Sequence, residues 1–172
     1  MDDMRIEESQ SLDIDTFLPY QLVVLADTVS RALSHLYADQ FGIAIPEWRV
    51  LAALGRMGTM TARDIGTLTH MHKTKVSRAI SSLENLAMVY RTPNENDLRE
   101  SFVTLTERGA ATYRKIVPQA RDFSQALYTS LDNQQQEMLG GILRTLQDAA
   151  TKLPEAVTFA DKTPAAFHDV AS

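Results

Sequence analysis

Apolar positions recur every three or four residues along most of this chain, and one short segment breaks that rhythm. From Phe17 to about Gln40 they fall at Leu22, Leu25, Val29, Leu33 and Leu36, with Ala26 and Ala32 as small neighbours. That is helical spacing, and it predicts one long helix ending near Gly42, where a glycine can take the left-handed cap. In "IPEWRVLAALGRMG" a second helix is expected. Pro46 suits its first turn, Glu47 favours the positive end of its dipole, Trp48, Leu51 and Leu54 share a face, and Gly58 stops it. "TARD" sets Thr61 three residues before Asp64, a capping-box-like start for a short helix to about Leu68. The next helix runs from about Lys73 to Leu86, with Val76, Ala79, Ile80 and Leu83 facing inward.

The break in rhythm follows. "MVYRT" and "SFVTLT", rich in Val, Tyr, Phe and Thr, flank the polar "PNENDLRE". The pattern predicts a β-hairpin with a long polar tip. Helical spacing resumes at Tyr113, Ile116, Val117, Ala120, Phe123 and Leu127, with a kink expected at Pro118. Asp132 and Gln135 cap a last helix striped by Met138, Leu139, Ile142, Leu143, Leu146 and Leu153, which Pro154 is expected to end.

This order predicts a mainly α fold: a winged helix-turn-helix with long N- and C-terminal dimerisation helices and a small β-hairpin wing. The expected divisions are an acidic disordered tail (1–16), an N-terminal dimerisation helix (17–45), a DNA-binding lobe (46–108), C-terminal dimerisation helices (109–153) and a tail (154–172).

Charge changes the picture. The formal net charge is −5, but residues 1–16 carry six acids against one cation and the remainder is balanced at 16 of each. Between Thr61 and Arg78 the cations Arg63, Lys73, Lys75 and Arg78 face one acid, Asp64. Local charge decides whether a surface meets an anion, so the acidic total does not argue against a nucleic-acid partner. The 172-residue chain has no cysteine, which excludes disulfides, thiolate nucleophiles and thiol redox sensing. No run reaches about 18 apolar residues, and "MDDMRIEESQ" lacks the features of a signal peptide. A cytoplasmic location with no membrane partner is expected.

The cationic helix therefore has a use. The second helix of a helix-turn-helix enters the major groove while the core holds its back. Lys73, Thr74, Lys75, Ser77, Arg78 and Ser81 form the exposed face. Cations offset phosphate charge, small hydroxyls approach bases or phosphates closely, and Arg78 suits a bidentate contact to guanine. The hairpin tip carries Arg99, placed to reach a minor groove. Asp97 is there to form the turn and to orient Arg99 or Arg91. The plainer alternative is a solvated amphipathic helix that happens to be basic.

The run "DLRESFVTLTERG" resembles the wing signature of the multiple antibiotic resistance regulator (MarR) family: Asp-x-Arg, a short strand, Leu-Thr and a Gly. "KTKVSRAISSLENLAMVYR" resembles that family's recognition helix and its exit into the wing. The likeness spans roughly residues 17–153. It implies a homodimeric transcription regulator, often a repressor released by small anionic aromatic ligands, that reads a pseudo-palindromic operator in double-stranded DNA. By the same resemblance Lys73, Thr74, Lys75, Ser77 and Arg78 match recognition-helix positions, and Asp97 and Arg99 match the wing. One position departs: Ala87 stands where the family usually has Gly.

The long terminal helices find an economical use in pairing with a second copy, which sets two recognition helices roughly 34–36 Å apart; the plainer alternative is packing within one chain. The resemblance implies a small-molecule effector site between the dimer helices and the DNA-binding lobe, which Tyr20, His35, Trp48, Arg49 and Arg56 would line; core or interface is the stronger expectation for Tyr20 and Trp48. His70 and His72 are poorly spaced for one helical face, so no metal and no cofactor are expected. No P-loop, dinucleotide fingerprint or H-E-x-x-H motif is present, and an enzyme is disfavoured. A winged-helix interaction module that has lost DNA binding is the remaining alternative, and the retained cations speak against it.

Overall fold

The computed structural model describes residues 12–95, 97 and 100–156. The chain divides into two compact units, Met1–Gln125 and Ala126–Ser172.

The first unit begins with α1 (Leu18–Ser34) and α2 (Ala38–Phe41). The single helix expected over 17–40 is thus broken at residues 35–37. The amides of Leu36 and Tyr37 bond only three residues back, to Leu33 and Ser34, at 3.1 Å each. This tightens the last turn and ends the α pattern. No glycine or proline marks the break. Tyr37, fully buried, stacks on Trp48 with ring centroids 5.5 Å apart, and that packing outweighs the local apolar period. Gly42 caps α2 at φ 65°, as its place in the sequence predicts.

Next come α3 (Ile45–Met57), β1 (Met60–Thr61), α4 (Ala62–Thr69) and α5 (Lys73–Asn85). Strands β2 (Val89–Pro93) and β3 (Ser101–Leu105) form the hairpin. The sheet has three strands, ordered β1-β3-β2, with Met60 opposite Val103 and Val89 opposite Leu105. At two residues β1 is too short to show an alternating pattern, so the sequence yields only the hairpin.

The core lies where α3, α4 and α5 meet the sheet. Val50, Leu51, Leu54, Ile65, Val76, Ile80, Leu83, Val103 and Ile116 are all essentially inaccessible. Burying one such side chain is worth about 1.5–3 kcal/mol, so Val76, Ile80 and Leu83 fix α5 firmly by its back.

Helix α6 (Glu107–Thr129) runs unbroken through Pro118, where the sequence suggests a kink. In the second unit, α7 (Asn133–Ala156) starts with a reciprocal cap. The Gln135 amide donates to Asp132 Oδ1 and the Asp132 amide to Gln135 Oε1, both at 2.9 Å. Pro154 does not end α7, which continues to Ala156. A proline in a last turn forfeits one N–H bond and has little helix left to disrupt.

Candidate nucleic-acid interface

Two left-handed residues frame α5, and neither is glycine. His70, at φ 52°, ends α4. Its amide donates to the Thr67 carbonyl at 3.4 Å and that of Met71 to the Gly66 carbonyl at 3.1 Å. This is the paired bonding of a Schellman cap. Two residues on, His72 caps the N-terminus of α5 by accepting the Thr74 amide on Nδ1 at 3.4 Å. At the other end Ala87 sits at φ 54°. The amides of Ala87 and Met88 donate to the carbonyls of Glu84 (2.8 Å) and Leu83 (2.9 Å), a second Schellman cap. The helix exit at Ala87 therefore keeps the left-handed geometry for which glycine is suited, and alanine bears the strain.

Between these caps α5 presents two faces. Val76, Ala79, Ile80 and Leu83 are buried, while Lys73, Thr74, Lys75, Ser77, Arg78 and Ser81 are exposed. Lys73, Ser77 and Ser81 follow each other at four-residue steps, beside a second row of Thr74 and Arg78. All six recognition-helix residues expected from the sequence thus share one solvent-facing surface.

The wing is tied to that helix. Arg91 Nε on β2 donates to both carboxylate oxygens of Glu84 on α5, each at 3.0 Å. Arg63 on α4 pairs with Glu100 at the base of the wing. Asp97 lies in the turn: its amide donates to the Asn94 carbonyl at 3.2 Å and its carbonyl accepts the Glu100 amide at 3.0 Å. Arg99 lies outside the described residues. The two ion pairs are not legible in the sequence, because their partners are 7 and 37 positions apart on different elements.

The residues expected at an effector site separate. Tyr20 and His35 are exposed on α1 and at its end, and neither lines the two cavities that Arg49 reaches. Trp48, Arg49 and Arg56 share a cleft of about 320 Å3 with Ala52, Ala53, Leu68 and Thr69. Trp48, half-buried, also stacks between Tyr37 and Tyr113, the latter at 6.2 Å, and packs against the core. Arg49 reaches a second cavity, of about 460 Å3, with Asp27, Ser30 and Ser34 of α1, Pro46 of α3 and Lys75 of α5. Asp27, Ser30 and Ser34 stand at i, i+3 and i+7, a polar stripe on α1 that helical spacing could have revealed. Burial raises the Tyr37 phenol above its ordinary pKa; Arg49 opposes that shift and Glu47 adds to it. Among the described residues no cluster of three or more His, Asp or Glu is arranged to hold a metal ion, and no helix is long and apolar enough to cross a membrane.

The sequence model of the MarR family matches residues 41–100, the segment from the end of α2 to the base of the wing. An uncharacterised helix-turn-helix transcriptional regulator of Bacillus subtilis, YwoH, is 28% identical over 106 residues, 62% of this chain and 77% of that protein. The MarR family regulator SPO1453 of Silicibacter pomeroyi superposes with a TM-score of 0.69 at 26% identity, covering 81% of this chain and 99% of that one. A structure of Bordetella bronchiseptica BpsR, concerned with regulation of its DNA binding by 6-hydroxynicotinic acid, superposes at 0.62 and 21% identity, covering 74% and 98%. YwoH and SPO1453 are named as transcriptional regulators, not enzymes, and the two solved structures share the fold of this chain. Over residues 41–100 the chain is thus similar to the MarR family of transcription regulators, and its described fold is similar to that of solved MarR family regulators.

Proposed function

We propose that this protein is a homodimeric repressor that binds a pseudo-palindromic operator through α5 and the wing, and that a small aromatic or anionic ligand releases it. The observation that carries the DNA reading is the exposed α5 face, where three cations and three hydroxyls stand over a fully buried apolar back. Lys73 and Lys75 meet phosphates, Thr74, Ser77 and Ser81 approach closely, and Arg78 reads guanine. Asp97 and Arg99 act from the wing.

Dimerisation is supported by the apolar residues that stand exposed in each unit among the described residues. Helix α1 has no buried residue, although it carries Leu18, Leu22, Val23, Val24 and Leu25. In the second unit Leu127, Tyr128, Met138, Ile142 and Leu143 are likewise exposed. Apolar surface on this scale marks an interaction site, and a second copy is the simplest partner. BpsR, with its aromatic acid effector, lends support to the ligand reading. So does the cavity of about 460 Å3, which has Arg49 to grip a carboxylate. The cleft beside Trp48 and Arg56 is the other candidate.

The test uses full-length protein and labelled duplexes from the DNA adjoining its coding gene. Sedimentation is expected to give a dimer at micromolar concentration. Fluorescence anisotropy is expected to give tight binding to one pseudo-palindrome, released by some member of a panel of benzoates and cinnamates. A persistent monomer, or equal affinity for random DNA, would overturn the dimeric operator-binding reading.

A further inference from the structure

Lys75 stands at a boundary. It projects from the exposed face of α5, yet it also lines the cavity of about 460 Å3 beside Arg49. On its other side it lines a cleft of about 410 Å3 with Glu47 of α3 and with His72, Thr74 and Arg78, which are exposed at the start of α5 and along it. Only Lys75 and Pro46 belong to both, and proline carries no charge. Among the described residues, Lys75 is thus the one charged side chain that lines both clefts.

The charges around it favour sharing. The cavity wall contributes Asp27, Arg49 and Lys75. Asp27 is already paired with Arg31 at 2.8 Å, which offsets its repulsion of an incoming anion. Arg49 offers a planar fork to a carboxylate, and Lys75 offers a compact charge on a long, rotatable stem. A flexible ammonium can reach a phosphate on one side or a carboxylate on the other, but not both at once.

We propose that Lys75 is a switch residue, held by a DNA phosphate in the bound state and drawn to the carboxylate of an anion in the Arg49 cavity. Ligand and DNA then compete for one cation. This rests on the reading of that cavity as the effector site, and it adds a route for the coupling that requires no change in dimer geometry. Linkage makes the effect reciprocal: DNA must weaken ligand binding by the factor by which ligand weakens DNA binding.

The competition leaves a signature in salt dependence. Each phosphate neutralised contributes about 0.9 to the slope of log affinity against log salt. Withdrawing Lys75 from both halves of a dimer should lower the slope by about 1.8. Displacing whole recognition helices would free several phosphates per half and remove a much larger part of the slope.

The experiment measures random-sequence duplex binding across a salt series, with and without salicylate, benzoate and cinnamate. It compares wild type, Lys75→Gln and Lys75→Arg; Lys75 is exposed, so neither change threatens the fold. Calorimetry on the free proteins reports binding of the same probes. Wild type and Lys75→Arg should lose about 1.8 from the slope on adding a bound probe. Lys75→Gln should start lower by that amount, still bind the probe through Arg49, and show no further change. If a probe binds and weakens DNA binding equally in wild type and Lys75→Gln, the switch is overturned while the effector cavity survives. If no probe binds any of the three proteins, both fall.

Discussion

Gly109 of α6 lies against the carbonyl of Met88. A Cβ at Gly109 would overlap that oxygen, and its close neighbours are Met88 backbone atoms rather than a flexible side chain. The same junction is tied by Thr106, whose hydroxyl donates to the Ala87 carbonyl at 2.7 Å and accepts the Gly109 amide at 3.0 Å. The Thr and Gly of the wing signature therefore have a physical reason: they seat the start of α6 on the exit of α5. Gly109→Ala should destabilise the protein by at least about 1–3 kcal/mol, the usual range for overpacking. Urea unfolding followed by circular dichroism measures this, and an unchanged midpoint would show that the backbone clash is easily relieved.

Ala87 supplies the opposite case. At φ 54° an L-residue bears a steric cost that glycine avoids. Ala87→Gly should stabilise the fold by about 1 kcal/mol, raising Tm by about 2–4 °C for a chain of this size. A calorimetric scan showing a lower Tm would mean that the unfolded-state entropy of glycine outweighs the relief of strain.

Much of this architecture is legible in the sequence because it depends on local periodicity. Val76, Ala79, Ile80 and Leu83 recur at helical spacing, so both the buried back of α5 and its cationic front can be read directly. Asp132 and Gln135 likewise announce their cap. What is not legible depends on tertiary packing. Leu33 and Leu36 continue the α1 stripe, and nothing local marks the break that accompanies the burial of Tyr37. His70 and Ala87 are left-handed without being glycine, held there by backbone caps that leave no side-chain signal. Lys75 reads as one more DNA-facing cation until α1 and α3 are folded beside it.

Tyr37 is fully buried, and its hydroxyl finds no hydrogen-bond partner among the described residues. An unsatisfied buried polar group costs about 1–3 kcal/mol. Tyr37→Phe should leave stability unchanged or raise it by up to that amount, since the ring still stacks on Trp48. The pH dependence has a definite sign. Burial raises the folded phenol above its ordinary value of 10.0, so the neutral form is favoured by folding. This contribution is fully present below about pH 10 and is lost as pH rises through the folded pKa. Wild type should therefore lose stability in the alkaline range more steeply than Tyr37→Phe. Coincident profiles above about pH 10 would remove Tyr37 from alkaline unfolding.

Arg91 and Glu84 should matter little for stability and more for DNA. Their side chains are about one-third exposed, at 35% and 32%, and such pairs contribute about 0.2–1 kcal/mol. A double-mutant cycle of Arg91→Ala and Glu84→Ala by urea unfolding should return a coupling in that range. Because the pair ties β2 to α5, losing it should loosen the wing and weaken operator binding. Stability coupling well above the range would mean that the pair is a structural clamp of the lobe.

Within α5 itself, Arg78 and Lys73 are expected to separate specificity from affinity. Both are exposed, so substitution leaves the core intact and any effect on DNA is direct. Arg78, in the second row of the helix, has the fork geometry that matches the O6 and N7 of guanine. Lys73, in the first turn, is a point charge suited to phosphate. Arg78→Ala should cost about 1–3 kcal/mol on the operator and less on random DNA, narrowing the ratio between them. Lys73→Ala should weaken both nearly equally and lower the salt slope by about 0.9 for each phosphate no longer neutralised. Anisotropy titrations on operator and random duplexes, run at several salt concentrations, measure both quantities at once. If Arg78→Ala leaves the operator-to-random ratio unchanged, base reading passes to the hydroxyls of Thr74, Ser77 and Ser81, and Arg78 becomes another phosphate anchor.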